Sequence, residues 1–137
     1  MGVEISAVYQ GDLRCVVTHG PSGSSFETDA PVDNQGKGER FSPTDLVATG
    51  LATCIVTTIG IVAARKGWDV SGMRARVTKE MSSSPPRRIA RLPVELWMAR
   101  DLPPEARQQV ENTARACPVH KSIHPDIEAP VTIHWPG

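Results

Sequence analysis

Two cysteines are the residues of this sequence whose type and surroundings favour chemistry. Cys54 lies in LATCIVTT, inside a long uncharged segment, and Cys117 directly precedes a proline in ARACPVHK. Only the thiolate form of cysteine is nucleophilic, so a reactive cysteine needs surroundings that lower its pKa. The structural alternative stays open for each of them, because a lone cysteine commonly packs as a small apolar side chain.

The proline after Cys117 predicts a break between two helices. Proline disfavours helical geometry in the preceding residue, so a helix that begins at Pro104 should end at Cys117. Pro118 suits the first position of a new helical turn, with Cys117 as its N-cap. Unpaired N–H groups and the helix dipole at that position would stabilise a thiolate.

Cys54 is predicted to lie on a narrow apolar face of a long helix. Gly50, one turn earlier, opens space over the sulfur, although Gly60 allows the alternative that the helix simply packs closely against another element. The residues that share this face by helical spacing are Val47, Gly50, Leu51, Thr58 and Ile61. Two cysteines on different helices suit a pair in which one thiol reacts with a peroxide and the other resolves the product.

Length and charge narrow the class of protein. The 137 residues predict one domain, 1–137, and 15 basic residues balance 15 acidic ones without long runs of either sign. A nucleic acid is therefore not expected as a partner. Three cysteines at wide spacings indicate a reducing compartment, and MGVEISAVYQ does not read as an export signal, so we expect a cytoplasmic protein.

The segment from Leu46 to Ala64 carries no charged residue and approaches the length of a membrane span. Its threonines and glycines dilute the apolar content, and no second apolar segment accompanies it. We therefore predict a buried central helix, covered by a sheet and a second subunit, and no membrane partner.

The remaining patterns give the order βββ-α-ββ-α-β, an α+β fold with segregated helices. Ser42, Pro43 and Asp45 form a helix start, and Gly67 ends that helix. Pro93 marks an edge or a bulge in its strand. The predicted strands are 3–9, 13–18, 25–28, 73–80, 89–98 and 127–135, and the predicted helices are 43–66 and 104–117.

Together, FSPTDLVATGLATC and ARACPVHKS resemble the OsmC/Ohr superfamily of osmotically inducible and organic hydroperoxide resistance proteins. The resemblance covers nearly the whole chain and is closer to the OsmC-like branch than to the Ohr branch. It implies an OsmC-like fold, with the long buried central helix packed on antiparallel sheet, and an intertwined homodimer.

The implied activity is that of a thiol peroxidase, with Cys54 as the peroxidatic and Cys117 as the resolving cysteine. A dithiol reductant would reopen the disulfide, and no cofactor or metal would be needed. Val47, Gly50 and Leu51 would line an apolar pocket that favours small hydrophobic hydroperoxides. The alternative is a non-peroxidatic dimer that binds a small lipophilic ligand or acts as a thiol redox sensor.

The resemblance also implies an arginine near the reactive thiol, held by a carboxylate. Arg14 is the candidate, with Arg40 and Lys37 as alternatives. The glutamate that family members carry after the helix-start proline is Thr44 here. Asp45 is nine residues before Cys54, which turns it to about the opposite side of the helix, so its expected role is capping.

Without that glutamate, the alternatives are that Glu39 or Glu27 holds the arginine, or that no carboxylate holds it. The spacing of Cys117, His120 and His124 also permits a zinc site, but no Cys-x-x-Cys supports it. His120 and Lys121 could instead lower the pKa of Cys117. The third cysteine and the three tryptophans are predicted to serve in packing: Cys15, Trp68, Trp97 and Trp135.

Overall fold

The computed structural model describes residues 2–137, which divide into two compact units. The first unit ends at Leu46, and the second is Val47–Gly137. Each unit is described by itself.

The first unit is an antiparallel sheet in the order β1-β2-β3, formed by Ile5–Gly11, Arg14–His19 and Ser25–Asp29. The predicted strands 3–9 and 13–18 correspond to β1 and β2, which pair as a hairpin. Asp12 and Leu13 at its turn have φ of 53° and 64°, the paired left-handed geometry that matches the twist of a tight hairpin. A short 3-10 turn, Val32–Asn34, follows β3.

Helix α1, Pro43–Lys66, begins and ends where its sequence signals predict. The Asp45 N–H donates to Ser42 Oγ at 3.0 Å, and the Ser42 N–H donates to Asp45 Oδ2 at 2.9 Å. This reciprocal capping confirms the role expected for Asp45. Gly67 ends the helix at a φ of 74°, which a residue with a side chain rarely adopts.

One face of α1 is buried within the second unit, while other positions are exposed, among them Thr53, Thr57 and Ile61. The buried residues are Ala48, Leu51, Ala52, Ile55, Ile59 and Ala63. Among residues 2–137, α1 alone is long and apolar enough to cross a membrane, a test that a core helix also passes. The exposed positions of α1 show that the second unit does not cover this helix on every side.

The second unit holds a sheet of order β4-β7-β8, formed by Arg74–Val77, Val94–Trp97 and Val131–His134. Strand β4 is antiparallel to β7, but β8 is parallel to it, so this sheet is mixed where an antiparallel one was predicted. The connection from β7 to β8 contains two helices and is long enough for a parallel crossover.

Two predicted strands are each divided in the structure. The segment 73–80 contains β4 and the start of β5, Glu80–Met81, which pairs with β6, Ile89–Arg91. The segment 89–98 is interrupted between β6 and β7 at Leu92 and Pro93, because proline has no N–H for a strand ladder.

Helix α2, Pro104–Ala114, ends three residues before the predicted boundary. Its C-cap is Arg115, whose guanidinium donates to the Val131 carbonyl at 3.0 Å and so ties this end to β8. Helix α3, Pro118–Ser122, then begins at the predicted proline. The core between the helices and the sheet includes Leu51, Ile55, Ile59, Leu92, Val94, Leu96, Val110 and Cys117.

Candidate thiol active site

Cys117 is the N-cap of α3, as the Cys-Pro pair predicts. Its φ of −67° and ψ of 153° are extended, and the His120 N–H donates to its Sγ at 3.4 Å. The side chain is fully buried, with 0% of the residue exposed. Cys117 is therefore both a helix cap and a member of the core.

Cys54 is half-buried on α1 and packs against the core cluster that contains Cys117. Its sulfur has two further partners, the Val119 N–H in the first turn of α3 and the Thr58 hydroxyl, whose Oγ1 lies 3.8 Å from Sγ. All three cysteines of the chain are free thiols. The structure thus brings together the two cysteines that the sequence placed on separate helices.

The two thiols differ in how easily they ionise. Burial opposes ionisation of Cys54, but hydrogen bonds from Val119, Cys117 and Thr58 outweigh it and lower the pKa of Cys54. Burial raises the pKa of Cys117, and its donated hydrogen bond to Cys54 and the nearby Cys54 charge raise it further. The N–H groups of His120 and Val119 offset only part of this. The pair therefore favours a Cys54 thiolate beside a protonated Cys117.

This result corrects the expectation that the start of α3 stabilises a thiolate at Cys117. The backbone donors of α3 do reach sulfur, but burial of Cys117 exceeds their effect, and the Val119 N–H also serves Cys54. His120 acts on Cys117 through its backbone N–H, and its ring Nε2 lies 3.3 Å from the Ala129 carbonyl.

The residues expected to line an apolar pocket differ in accessibility. Val47 is 39% exposed, Gly50 is half-buried, and Leu51 is 0% exposed within the core. A Cβ placed on Gly50 would meet no atom within 4 Å, which agrees with open space one turn before Cys54. A Cβ on Gly60 would also meet none, so close packing within the chain does not account for that glycine.

Arg14 lies at the start of β2 in the first unit, where two carboxylates hold it. Its Nη2 donates to Asp29 Oδ2 at 3.1 Å and to Glu39 Oε1 at 2.9 Å. The bonds to Asp29 and Glu39 raise the pKa of Arg14. The sequence offered two glutamates to hold Arg14. Glu39 is its partner in the structure, whereas Glu27 Oε1 lies 3.7 Å from Arg40 Nε.

Sequence reasoning missed Asp29, the more buried of these carboxylates. Its side chain is 0% exposed, and the Glu39 N–H donates to its Oδ2 at 3.1 Å. Burial opposes its ionisation, but hydrogen bonds from Glu39 and Arg14 outweigh it and lower the pKa of Asp29. Oδ1 is buried without a hydrogen-bond partner. An open depression of about 240 Å³ adjoins Arg14, lined also by Gln10, Gly11, Asp12 and Lys37.

The zinc alternative finds no geometric support. Within residues 2–137 no three His, Cys, Asp or Glu side chains are grouped to hold a metal. His124 Nδ1 accepts the Asp126 N–H at 3.0 Å. Cys15 is half-buried on β2 rather than in a core, which corrects its expected packing role.

The tryptophans differ from one another in their surroundings. Trp68 and Trp135 pack against the core as expected. Trp97 is half-buried and stacks on His134 with ring centroids 5.4 Å apart, and the guanidinium of Arg74 lies over its ring.

Comparisons with known proteins agree with this fold. The family described as OsmC-like protein matches residues 36–132. A Psychrobacter arcticus crystal structure, described provisionally as an osmotic stress induced and detoxification response protein, is 47% identical, covers 98% of each chain and has a TM-score of 0.91. No curated protein matches the sequence.

Two more distant structures share the fold. The organic hydroperoxide resistance protein OsmC of Legionella pneumophila is 16% identical over 97% of this chain and 96% of its own, with a TM-score of 0.77. The organic hydroperoxide resistance protein OhrB of Bacillus subtilis is 17% identical over 98% of each chain, with a TM-score of 0.69. The chain belongs to the OsmC-like protein family within the OsmC/Ohr superfamily.

Proposed function

We propose that this protein is a cofactor-independent thiol peroxidase that reduces small organic hydroperoxides. One observation carries the proposal: two free thiols on different helices share one core cluster, and their pKa values are shifted in opposite directions. A structural cysteine pair has no need of this asymmetry, whereas a peroxidase needs one ionised nucleophile beside a protonated partner.

In the first step the Cys54 thiolate attacks the terminal oxygen of the hydroperoxide. An S–O bond forms, the O–O bond breaks, and the alkoxide leaves as an alcohol after it takes up a proton. Sulfur is oxidised to sulfenic acid while the peroxide is reduced. The Cys117 thiol, already a donor to the Cys54 sulfur, supplies a proton close to the developing negative charge.

In the second step the Cys117 thiolate attacks the Cys54 sulfur. The S–S bond forms, the S–O bond breaks, and the departing hydroxide takes up a proton from solvent to become water. A dithiol reductant then restores both thiols by exchange and becomes a disulfide itself. Such reductants are present in a reducing compartment, which supports a cytoplasmic location for this protein.

The apolar surroundings of Cys54 support hydroperoxides with a hydrocarbon tail as substrates. Val47 and the open position beside Gly50 are the proposed contacts, while Leu51 forms part of the buried wall. Burial of hydrocarbon contributes about 25 cal/mol per Å², so an alkyl hydroperoxide gains binding energy that hydrogen peroxide does not.

Arg14 is the proposed catalytic arginine, with Asp29 and Glu39 as the carboxylates that hold it. Its two short ion pairs orient the guanidinium and keep it charged. In this proposal Asp29 and Glu39 take the place of the glutamate that Thr44 replaces. We expect Arg14→Lys, which keeps the charge but loses the fork geometry, to reduce peroxidase activity less than Arg14→Ala does.

A homodimer is the proposed assembly. Large apolar side chains are exposed in each unit, including Ile5, Tyr9 and Phe26 in the first and Ile61 in the second. Contiguous exposed apolar surface is typical of interaction sites in soluble proteins, and Ile5, Tyr9 and Phe26 fall on one face of the sheet by strand register. Sedimentation should give a dimer, and Ile61→Asp, at a position 50% exposed in the single chain, should shift it toward monomer.

The test of the proposed activity follows thiol loss in reduced protein treated with cumene hydroperoxide or hydrogen peroxide. Cys54→Ser should be inert. Cys117→Ser should form a sulfenic acid that a dimedone probe traps on Cys54. Cys15→Ser is the matched control and should behave as the wild type. Equal, slow oxidation of the wild type and all three variants by both oxidants would contradict the proposal.

A further inference from the structure

Thr58 is placed to act on the Cys54 sulfur. It lies one helical turn after Cys54 on the same face of α1, and its Oγ1 is 3.8 Å from Sγ. A threonine inside a helix more often bonds back to the carbonyl four residues earlier. Thr53 does so, donating to the Thr49 carbonyl at 2.7 Å. Thr58 instead directs its hydroxyl at a sulfur.

The direction of this hydrogen bond depends on the ionisation of Cys54. Either atom can donate while Cys54 is a thiol. A thiolate has no proton, so only the Thr58 hydroxyl can then donate. A hydrogen bond to a charged acceptor is roughly twice as strong as a neutral one, and therefore the hydroxyl favours the ionised sulfur.

The other two donors to Cys54 come from a different part of the chain. Val119 donates through its backbone, and Cys117 is consumed when the disulfide forms. Because Thr58 and Cys54 share one helix, their separation is fixed by helix geometry and does not depend on α3 or on the state of Cys117.

We propose that the Thr58 hydroxyl is a further catalytic group, which donates a hydrogen bond to the Cys54 thiolate that attacks the hydroperoxide. The inference rests on the proposed function for its role in turnover. Its effect on thiolate formation is a separate property that needs no peroxide to measure, so the two can fail independently.

The experiment compares Thr58→Val, which keeps the β-branched shape and removes the hydroxyl, with Thr58→Ser, which keeps the hydroxyl. Thr57→Val, at the neighbouring exposed position, is the matched control. Iodoacetamide alkylation of the reduced protein is followed against pH, with adducts on Cys54 counted by peptide mass spectrometry.

Thr58→Val should alkylate about threefold to tenfold more slowly than the wild type at pH 7, and its profile should move to higher pH. Rates should converge at alkaline pH, where Cys54 is ionised in every variant, whereas a merely structural defect would persist there. Thr58→Ser and Thr57→Val should stay within twofold of the wild type. If Thr58→Val does not fold, Thr58→Ala, which also lacks the hydroxyl, must show the same shift.

A Thr58→Val profile that overlays the wild type overturns the inference, even if the wild type reduces hydroperoxides. A shifted profile supports the thiolate contact, even if the wild type fails to reduce them. In that second case the proposed function fails while the hydrogen bond stands.

Discussion

Cys117 combines two roles that substitution can separate, because it caps α3 and also carries the second thiol. Cys117→Ala removes the acceptor of the His120 N–H and leaves a void where the buried sulfur was. Loss of an N-cap costs about 1 kcal/mol. Removal of a buried atom of roughly methylene size costs about another 1 kcal/mol, including the void. The sum is about 2 kcal/mol of unfolding free energy.

Cys117→Ser retains the cap, because a serine oxygen is a preferred N-cap acceptor. Its hydroxyl is satisfied in both directions, accepting from His120 and donating to Cys54, so the cost of burying it stays below about 1 kcal/mol. For a chain of 137 residues, about 3 °C per kcal/mol then predicts a melting temperature about 6 °C lower for alanine and less than about 3 °C lower for serine.

Urea and thermal denaturation, followed by circular dichroism under reducing conditions, measure these differences. Protein concentration must be held constant, since the melting temperature of a dimer depends on it. Equal loss of unfolding free energy in Cys117→Ala and Cys117→Ser would refute the capping role, because the serine hydroxyl would then not replace the sulfur as an N-cap acceptor.

Three further predictions concern stability, and urea denaturation checks each. Asp29→Asn should lower the urea midpoint near neutral pH. Because the pKa of Asp29 is lowered in the folded state, the stabilisation from its carboxylate is present above the unfolded-state pKa of about 3.9 and fades as the pH falls below that value. A difference in midpoint between variant and wild type that persists unchanged at lower pH would contradict this. Leu96→Ala, at a fully buried site, should cost about 3 kcal/mol, and a cost below about 1 kcal/mol would show that the core collapses around the void. Gly67→Ala should cost about 1 kcal/mol because φ is 74° there, and no loss would show that the helix end relaxes.

Features encoded within a few neighbouring residues could be predicted from the sequence. The start of α1 depends on Ser42 and Asp45, three residues apart, and its end depends on Gly67. The boundary at Cys117 and Pro118 is equally local, because proline restricts the residue before it. The position of both cysteines on the fold followed from these signals together with the family resemblance.

Features that depend on distant residues could not be predicted. The hydrogen bond between Arg14 and Asp29 joins two neighbouring strands, and the two residues are fifteen positions apart in the sequence. Nothing in the sequence distinguishes that aspartate from the others. The parallel pairing of β7 with β8 is likewise non-local. The sign of the pKa shift at Cys117 required its burial, which the helix-start pattern does not contain.

The difference in burial between the two sulfurs also has a consequence for irreversible damage. Oxidants from solvent meet Cys54 before Cys117, whose residue is 0% exposed. Sulfinic and sulfonic acids arise by repeated oxidation of an accessible thiolate. Of these two cysteines, Cys54 should therefore be the one found as sulfinic or sulfonic acid after inactivation by excess oxidant. Cys117 should not be overoxidised.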